Sequence, residues 1–206
     1  MSLKDPFVEV GDTLRLQARV LDRGGDTIPG AAVSLVVLDT SYLALDSADF
    51  AVIGRATTTA ARVVAVSGSL RSDPLSLRVP AGHADSLALA GPAADTLAPT
   101  DSVSIALSVV VLDLTTAPGT VDSLADRPVR FAIVEPVFAR ADTATVRLTN
   151  DSLGQTVRTG ATGIASVTVK RKRGVQPDSV VVQAVATRSS GAALRGSPLR
   201  FVVHFQ

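Results

Sequence analysis

Between Val103 and Val111 every second residue is aliphatic: Val103, Ile105, Leu107, Val109 and Val111, with Ser102, Ser104, Ala106 and Ser108 in the gaps. A period of two marks a β-strand with one buried face. The pattern therefore predicts a long strand whose aliphatic residues all share a core. The same pattern occurs earlier, where Leu14, Leu16, Ala18 and Val20 alternate with Thr13, Arg15, Gln17 and Arg19, predicting a strand over 13–21. Each run follows an acidic turn, Gly11-Asp12 or Thr100-Asp101, and ends in Leu-Asp, at Leu21-Asp22 or Leu112-Asp113. Each then passes through X-Pro, at Ile28-Pro29 or Arg127-Pro128, into a second alternating run. One supersecondary phrase written twice implies two all-β domains of one kind.

Further short alternating segments fill in both copies. In the first they are 7–10, 32–38, 42–45, 50–53, 62–67 and 75–79; in the second, 85–90, 129–134, 145–148, 156–158, 164–169, 180–186 and 199–205. Their spacing is that of a β-sandwich, with turn signals such as Arg23-Gly24-Gly25 and Asn150-Asp151 between them. Pro80-Ala81-Gly82 reads as a short linker, which places one sandwich at 1–80 and the other at 83–206. A linker so short predicts an end-to-end pair with little independent motion. The second domain has a full strand at 85–90 before its long strand, whereas the first has only 7–10. That asymmetry reads as a first domain truncated at its opening strand.

Composition narrows the class. Hydrophobic residues make up 46% of the 206-residue chain, enough for real cores, while aromatic residues are only 3%. There are 3 Lys and 2 Glu against 17 Arg and 17 Asp. Long helices carry Glu and Lys on their wet faces, so this scarcity argues for strands and turns. A net charge of +1 supplies no field to draw the chain to nucleic acid. No apolar run approaches the roughly 20 residues of a membrane span, so no membrane insertion is expected. Met1-Ser2-Leu3 reads as a cloning scar, and any export signal is expected outside this segment.

The phrase running from Gly11 through Asp22, and then from Ile28 through Val33, resembles bacterial immunoglobulin-like domains, the tandem modules of surface and secreted proteins. In the second copy Leu112-Asp113, Arg127-Pro128-Val129-Arg130-Phe131 and the stretch from Thr159 to Val167 are most similar to the invasin/intimin type, in which a Gly precedes an Ala-x-Val strand. The resemblance spans nearly the whole chain, although its motifs are turn-and-strand grammar and carry no chemistry. Two departures stand out: 49–54 lacks the usual Val-x-x-x-Gly stretch, and the loop 115–126 is extended. The resemblance implies immunoglobulin-like β-sandwiches in tandem, a spacer or adhesive role, and a place at a cell surface or outside the cell.

Candidate chemistry is sparse. Of the 17 Asp, 11 are followed by Ser or Thr. Such clusters of hard oxygens could hold calcium, and Asp113, Asp122 and Asp126 around the long loop are the first candidates. The competing reading is turn chemistry, since Asp and Ser side chains bond nearby backbone N–H groups. That reading predicts no metal or other cofactor. Lys170, Arg171, Lys172 and Arg173 form the strongest charge run and a candidate anionic-surface patch. Read plainly, they are a solvated hairpin tip with charges guarding a strand end. Two His, no Cys and no Gly-x-Ser-x-Gly elbow leave neither a zinc set nor a nucleophilic triad in view, so no enzyme is expected.

The leading expectation is a non-enzymatic structural, spacer or adhesion module, monomeric, whose partner is a protein or glycan at a cell surface. The alternatives are a ligand-binding module using the loops 115–126 and 135–144, and an accessory domain of a secreted enzyme.

Overall fold

The computed structural model of the chain describes residues 6–114, 121–138 and 144–206. Among them there is no helix, and the fold is all-β. The residues cluster into two compact units. The first comprises 1–83 with 188–192, and the second 84–187 with 193–206.

Unit 1 contains β1 (Thr13–Arg15), β2 (Ser34–Val37), β3 (Leu43–Asp46), β4 (Ala51–Gly54), β5 (Thr58–Ser67), β6 (Leu70–Arg71) and β7 (Leu75–Val79). One sheet runs β1-β4-β3; the other runs β2-β5-β6, with β7 also paired to β5. Val8, Leu16, Leu35, Leu43, Val52, Val63, Leu77 and Val79 fill the space between them. Alternation explains the second sheet directly, because Ala61, Val63 and Leu77 face inward at a period of two.

The strand expected over 13–21 is corrected here. Only Thr13–Arg15 is a strand, opposite Ile53, Val52 and Ala51. Its partner ends first. Asp46 accepts the N–H groups of Ala48 and Asp49 and turns the β3–β4 hairpin. Phe50 then sits in the left-handed region at φ 52. The last bond of the ladder runs from Leu16 N–H to Phe50 O, 3.1 Å. Beyond it the hairpin offers residues 17–20 no strand to pair with. The short strand expected at 7–10 is likewise reduced to isolated bridges at Phe7 and Val10.

Unit 2 contains β8 (Ser86–Leu89), β9 (Ala94–Leu97), β10 (Leu107–Asp113), β11 (Asp122–Ser123), β12 (Pro128–Glu135), β13 (Val146–Leu148), β14 (Gly154–Arg158), β15 (Ile164–Val167), β16 (Val169–Arg171), β17 (Ser179–Ala186) and β18 (Leu199–Phe205). One sheet runs β14-β12-β17-β18-β9; facing it, β11, β8 and β15 pair with β10, and β13 pairs with β16. Leu107, Val109 and Val111 from β10 meet Phe131, Val180, Val182, Phe201 and Val203 in a single core. Every neighbouring pair is antiparallel except β9 with β18, where Ala94 to Leu97 run alongside Val202 to Phe205.

The single aliphatic face expected from Val103 to Val111 is also corrected. Leu107, Val109 and Val111 are fully buried, but Val103 and Ile105 are 44% and 45% exposed. The cause is a slip in pairing. Leu107 lies opposite Val167. Ser104 instead bonds Val169 twice, through Ser104 N–H to Val169 O and Val169 N–H to Ser104 Oγ. Residues 104 to 107 therefore span the same length as 167 to 169, as in a β-bulge, and the inward phase reverses. Ser104 is buried in place of its aliphatic neighbours. Over 164–169 the same core takes Ala165, Val167 and Val169, and Ile164 is exposed.

Candidate functional site

The three acids named as calcium candidates do not converge on one point. Asp113 is buried and lies directly opposite the exposed Asp122 in the β10–β11 pair. Asp126 belongs to the next turn, where its carboxylate meets Arg158 at 3.3 Å. Among the described residues no group of three or more His, Cys, Asp or Glu is disposed to hold a metal ion. Several other Asp residues accept backbone N–H groups instead. Asp22 accepts the N–H groups of Gly24 and Asp26, at 2.8 and 2.9 Å. Asp95 accepts those of Thr96 and Ile105, both at 2.8 Å.

The basic run is drawn into the scaffold at three of its four positions. Lys170 Nζ donates to Thr149 O at 2.7 Å. Lys172 pairs with Asp151 at 2.9 Å. Arg171 leaves the run and reaches over the edge of the other sheet: its guanidinium donates to Pro99 O at 3.1 Å and Leu97 O at 3.5 Å, and lies 5.4 Å from the centre of the Phe205 ring. It thereby joins β16 to both members of the β9–β18 pair. Arg173 is exposed. Sequence reasoning took Arg171 as one of four equivalent surface charges, because nothing in a linear run marks the residue that folds back.

The loops offered as a binding site lie partly outside the described residues, at 115–120 and 139–143. The described part of the first contains β11. His83 falls in unit 1, and His204 is exposed on β18 in unit 2.

The motif residues that carried the family resemblance knot loops together. Thr159 is buried; its hydroxyl donates to Leu124 O at 2.6 Å and accepts Arg127 N–H at 2.9 Å. Thr159 N–H donates to Arg127 O, and Asp126 N–H to Thr159 O. Gly163, at φ 72, closes the turn on Gly160, and its carbonyl accepts Val111 N–H.

Three carboxyls, Asp12, Asp39 and Asp151, are held below the ordinary Asp value of 3.8. For Asp39 the main cause is the Arg62 side chain, followed by the Arg62 main-chain N–H; for Asp151 it is the hydrogen bond from Lys172. A carboxyl whose pKa falls on folding stabilises the native state above its unfolded value, and that contribution disappears as the pH drops through the folded value. Stability should therefore decline on acidification below about pH 4. Asp39→Asn should flatten part of that decline in unit 1. An unaltered pH profile of unfolding for this variant would show that the Asp39–Arg62 pair does not carry it.

Unit 1 holds an open groove of about 780 Å³ lined by Leu16, Gln17, Ala18, Arg19, Val33 and Phe50 among others. Sequence reasoning missed it because the alternation at 14–20 predicts a paired strand there.

Both units are β-sandwiches, each with its sheets around one core. No protein-family model matches the chain, and no curated protein does. Similar solved structures include the adhesin InvE of Yersinia pseudotuberculosis, at 17% identity and TM-score 0.44, covering 97% of this chain and 56% of that one. The chain thus spans little more than half the length of InvE. The D00-D0 domain of intimin matches at 17% identity and TM-score 0.33, over 99% of this chain and 96% of its own. Domains 5-6 of the S-layer protein SbsC match at 14% identity and TM-score 0.34, over 100% and 95%.

Proposed function

We propose that this chain is a non-enzymatic structural module of a larger surface or secreted protein, a load-bearing spacer built of sandwiches in series. The observation that carries this reading is the arrangement of strands where the chain enters and leaves unit 2. The incoming segment runs parallel to the outgoing one and is bonded to it twice. Near 85–87, Arg195 N–H donates to Asp85 O and Leu87 N–H to Arg195 O. Further along, Ala94, Asp95, Thr96 and Leu97 pair with Val202, Val203, His204 and Phe205. Gln206 N–H adds a bond to Leu97 O. When parallel strands are pulled from opposite ends, their hydrogen bonds lie across the load and must fail together. Antiparallel strands pulled from one end open one bond at a time. Arg171 fastens the same pair from a third strand.

The location and the spacer role also draw on the resemblance of the repeated sequence phrase to bacterial immunoglobulin-like domains. A glycan array probed with the whole chain separates this reading from a glycan-binding one. The spacer reading expects no saturable binding. Saturable binding that disappears when 115–120 is replaced by a short Gly-Ser turn would overturn it in favour of a loop-based binding module.

A further inference from the structure

The segment 16–20 is written as a strand and is bonded only at its ends, where Leu16 N–H donates to Phe50 O and Val20 O accepts from Ile28 N–H. Leu16, Ala18 and Val20 keep strand periodicity, and neither turn nor bend interrupts them. Yet among the described residues Gln17, Ala18 and Arg19 make no hydrogen bond, and on the facing wall neither do Ala31, Ala32 and Val33. Unpaired main chain beside a cleft with apolar side chains is the template onto which an added strand builds. The groove between these walls encloses about 780 Å³, within the range of about 300–1,000 Å³ usual for ligand clefts. It continues past Ala18 and Val33 into a second hollow of about 270 Å³ beside Ala65 and Leu70.

Two further features point to an occupant. Phe50, at the groove wall, holds a left-handed backbone that a bulky residue rarely adopts. The residues lining the two hollows include Arg19 and Arg71 and no acid. Neither arginine has an ion pair among the described residues. The nearby Asp49 is occupied by Arg15 at 3.1 Å.

We infer that unit 1 is a strand acceptor: the groove takes an extended peptide of alternating small apolar residues flanked by carboxylates, which pairs with the main chain of 17–19 and lays its apolar face toward Leu16, Ala18 and Val33. The arginines select the acidic flanks. They also disfavour a second copy of this chain in the groove, since self-pairing of these segments would bring Arg19 close to its own kind. The site does not depend on the spacer reading, because it lies in the other unit from the parallel strand pair.

The test uses the whole chain and a fluorescein-labelled peptide of about ten residues, alternating Val and Thr between Asp pairs. Saturable anisotropy is expected, together with slowed amide hydrogen exchange at Gln17, Ala18 and Arg19. A peptide with Pro at every second position cannot form a ladder and should not bind. Arg19→Glu, at an exposed position, should weaken the acidic peptide by about tenfold and favour its Lys-flanked counterpart. Ala18→Pro should abolish binding through the lost N–H, and Arg19→Glu keeps the test decisive if that variant fails to fold. Equal binding of the Pro peptide, or no binding of the Asp-flanked one, overturns the inference. So does slow exchange at 17–19 in the free chain. Protection that grows with protein concentration alone overturns it in favour of a second copy.

Discussion

Leu107→Ala is expected to lower the stability of unit 2 by about 2–5 kcal/mol, the usual cost of emptying a leucine site in a close-packed core. Leu107 is fully buried where β10 begins, opposite Val167 and in the same core as Phe131 and Phe201. Strands from both sheets are fixed around it, so the site cannot collapse cheaply. Ile105→Ala is the matched control. It lies two residues away in the same alternating run but is 45% exposed, and its loss should cost less than about 1 kcal/mol. Urea unfolding of the two variants reads the difference in midpoint at constant slope. Equal effects would mean that the slip at Ser104 is absent and that the aliphatic face is continuous after all.

Gly163→Ala should cost about 2–4 kcal/mol through two effects that add. The residue sits at φ 72, where an L side chain is strained. A Cβ built there would lie 2.6 Å from the Ser123 Cβ and 2.9 Å from Leu124 N. Ser123 is held in β11, and Leu124 N–H bonds Val111 O, so neither can retreat without opening the ladder on β10. Gly160→Ala, in the same turn, meets only Ile164 O at 3.8 Å and should change stability by less than about 1 kcal/mol. If both substitutions are equally mild, the turn can move away from β11 and the knot around Thr159 is looser than its hydrogen bonds imply.

The fold was legible because alternation is a local signal. The strand at 180–186 buries every second residue, and those at 129–134 and 199–205 bury Val129, Phe131, Phe201 and Val203 at the same period. Where the reading failed, the deciding fact lay in another strand. Nothing in 102–106 reveals that Val169 takes Ser104 rather than Ile105 as its partner. Nothing in 13–21 reveals that the hairpin of β3 and β4 turns back at Phe50 and leaves 17–19 unpaired. The candidate sites divide in the same way. The abundance of Asp before Ser or Thr pointed to local backbone capping, and Asp46 and Asp95, each followed by Ser or Thr, accept backbone N–H groups. The charge run, by contrast, concealed one arginine that crosses to Leu97 and Pro99. No pattern along the chain encodes that contact, because its acceptors are main-chain carbonyls about seventy residues away.

The most direct test of the load-bearing role is to pull the chain by its two ends and record the force at which each unit unfolds. Forced unfolding reports the barrier along the direction of load rather than equilibrium stability. Among the described residues unit 1 has a single parallel bridge between its incoming and outgoing segments, at Phe7 and Arg78, whereas unit 2 has the four-pair ladder of β9 and β18 as well as the bonds at Arg195. The account predicts two unfolding events: unit 2, recognised by its longer released length, yields at the higher force, and Arg171→Ala lowers that force while leaving the first event unchanged. A unit 2 that yields at or below the force of unit 1, with Arg171→Ala making no difference, would contradict it.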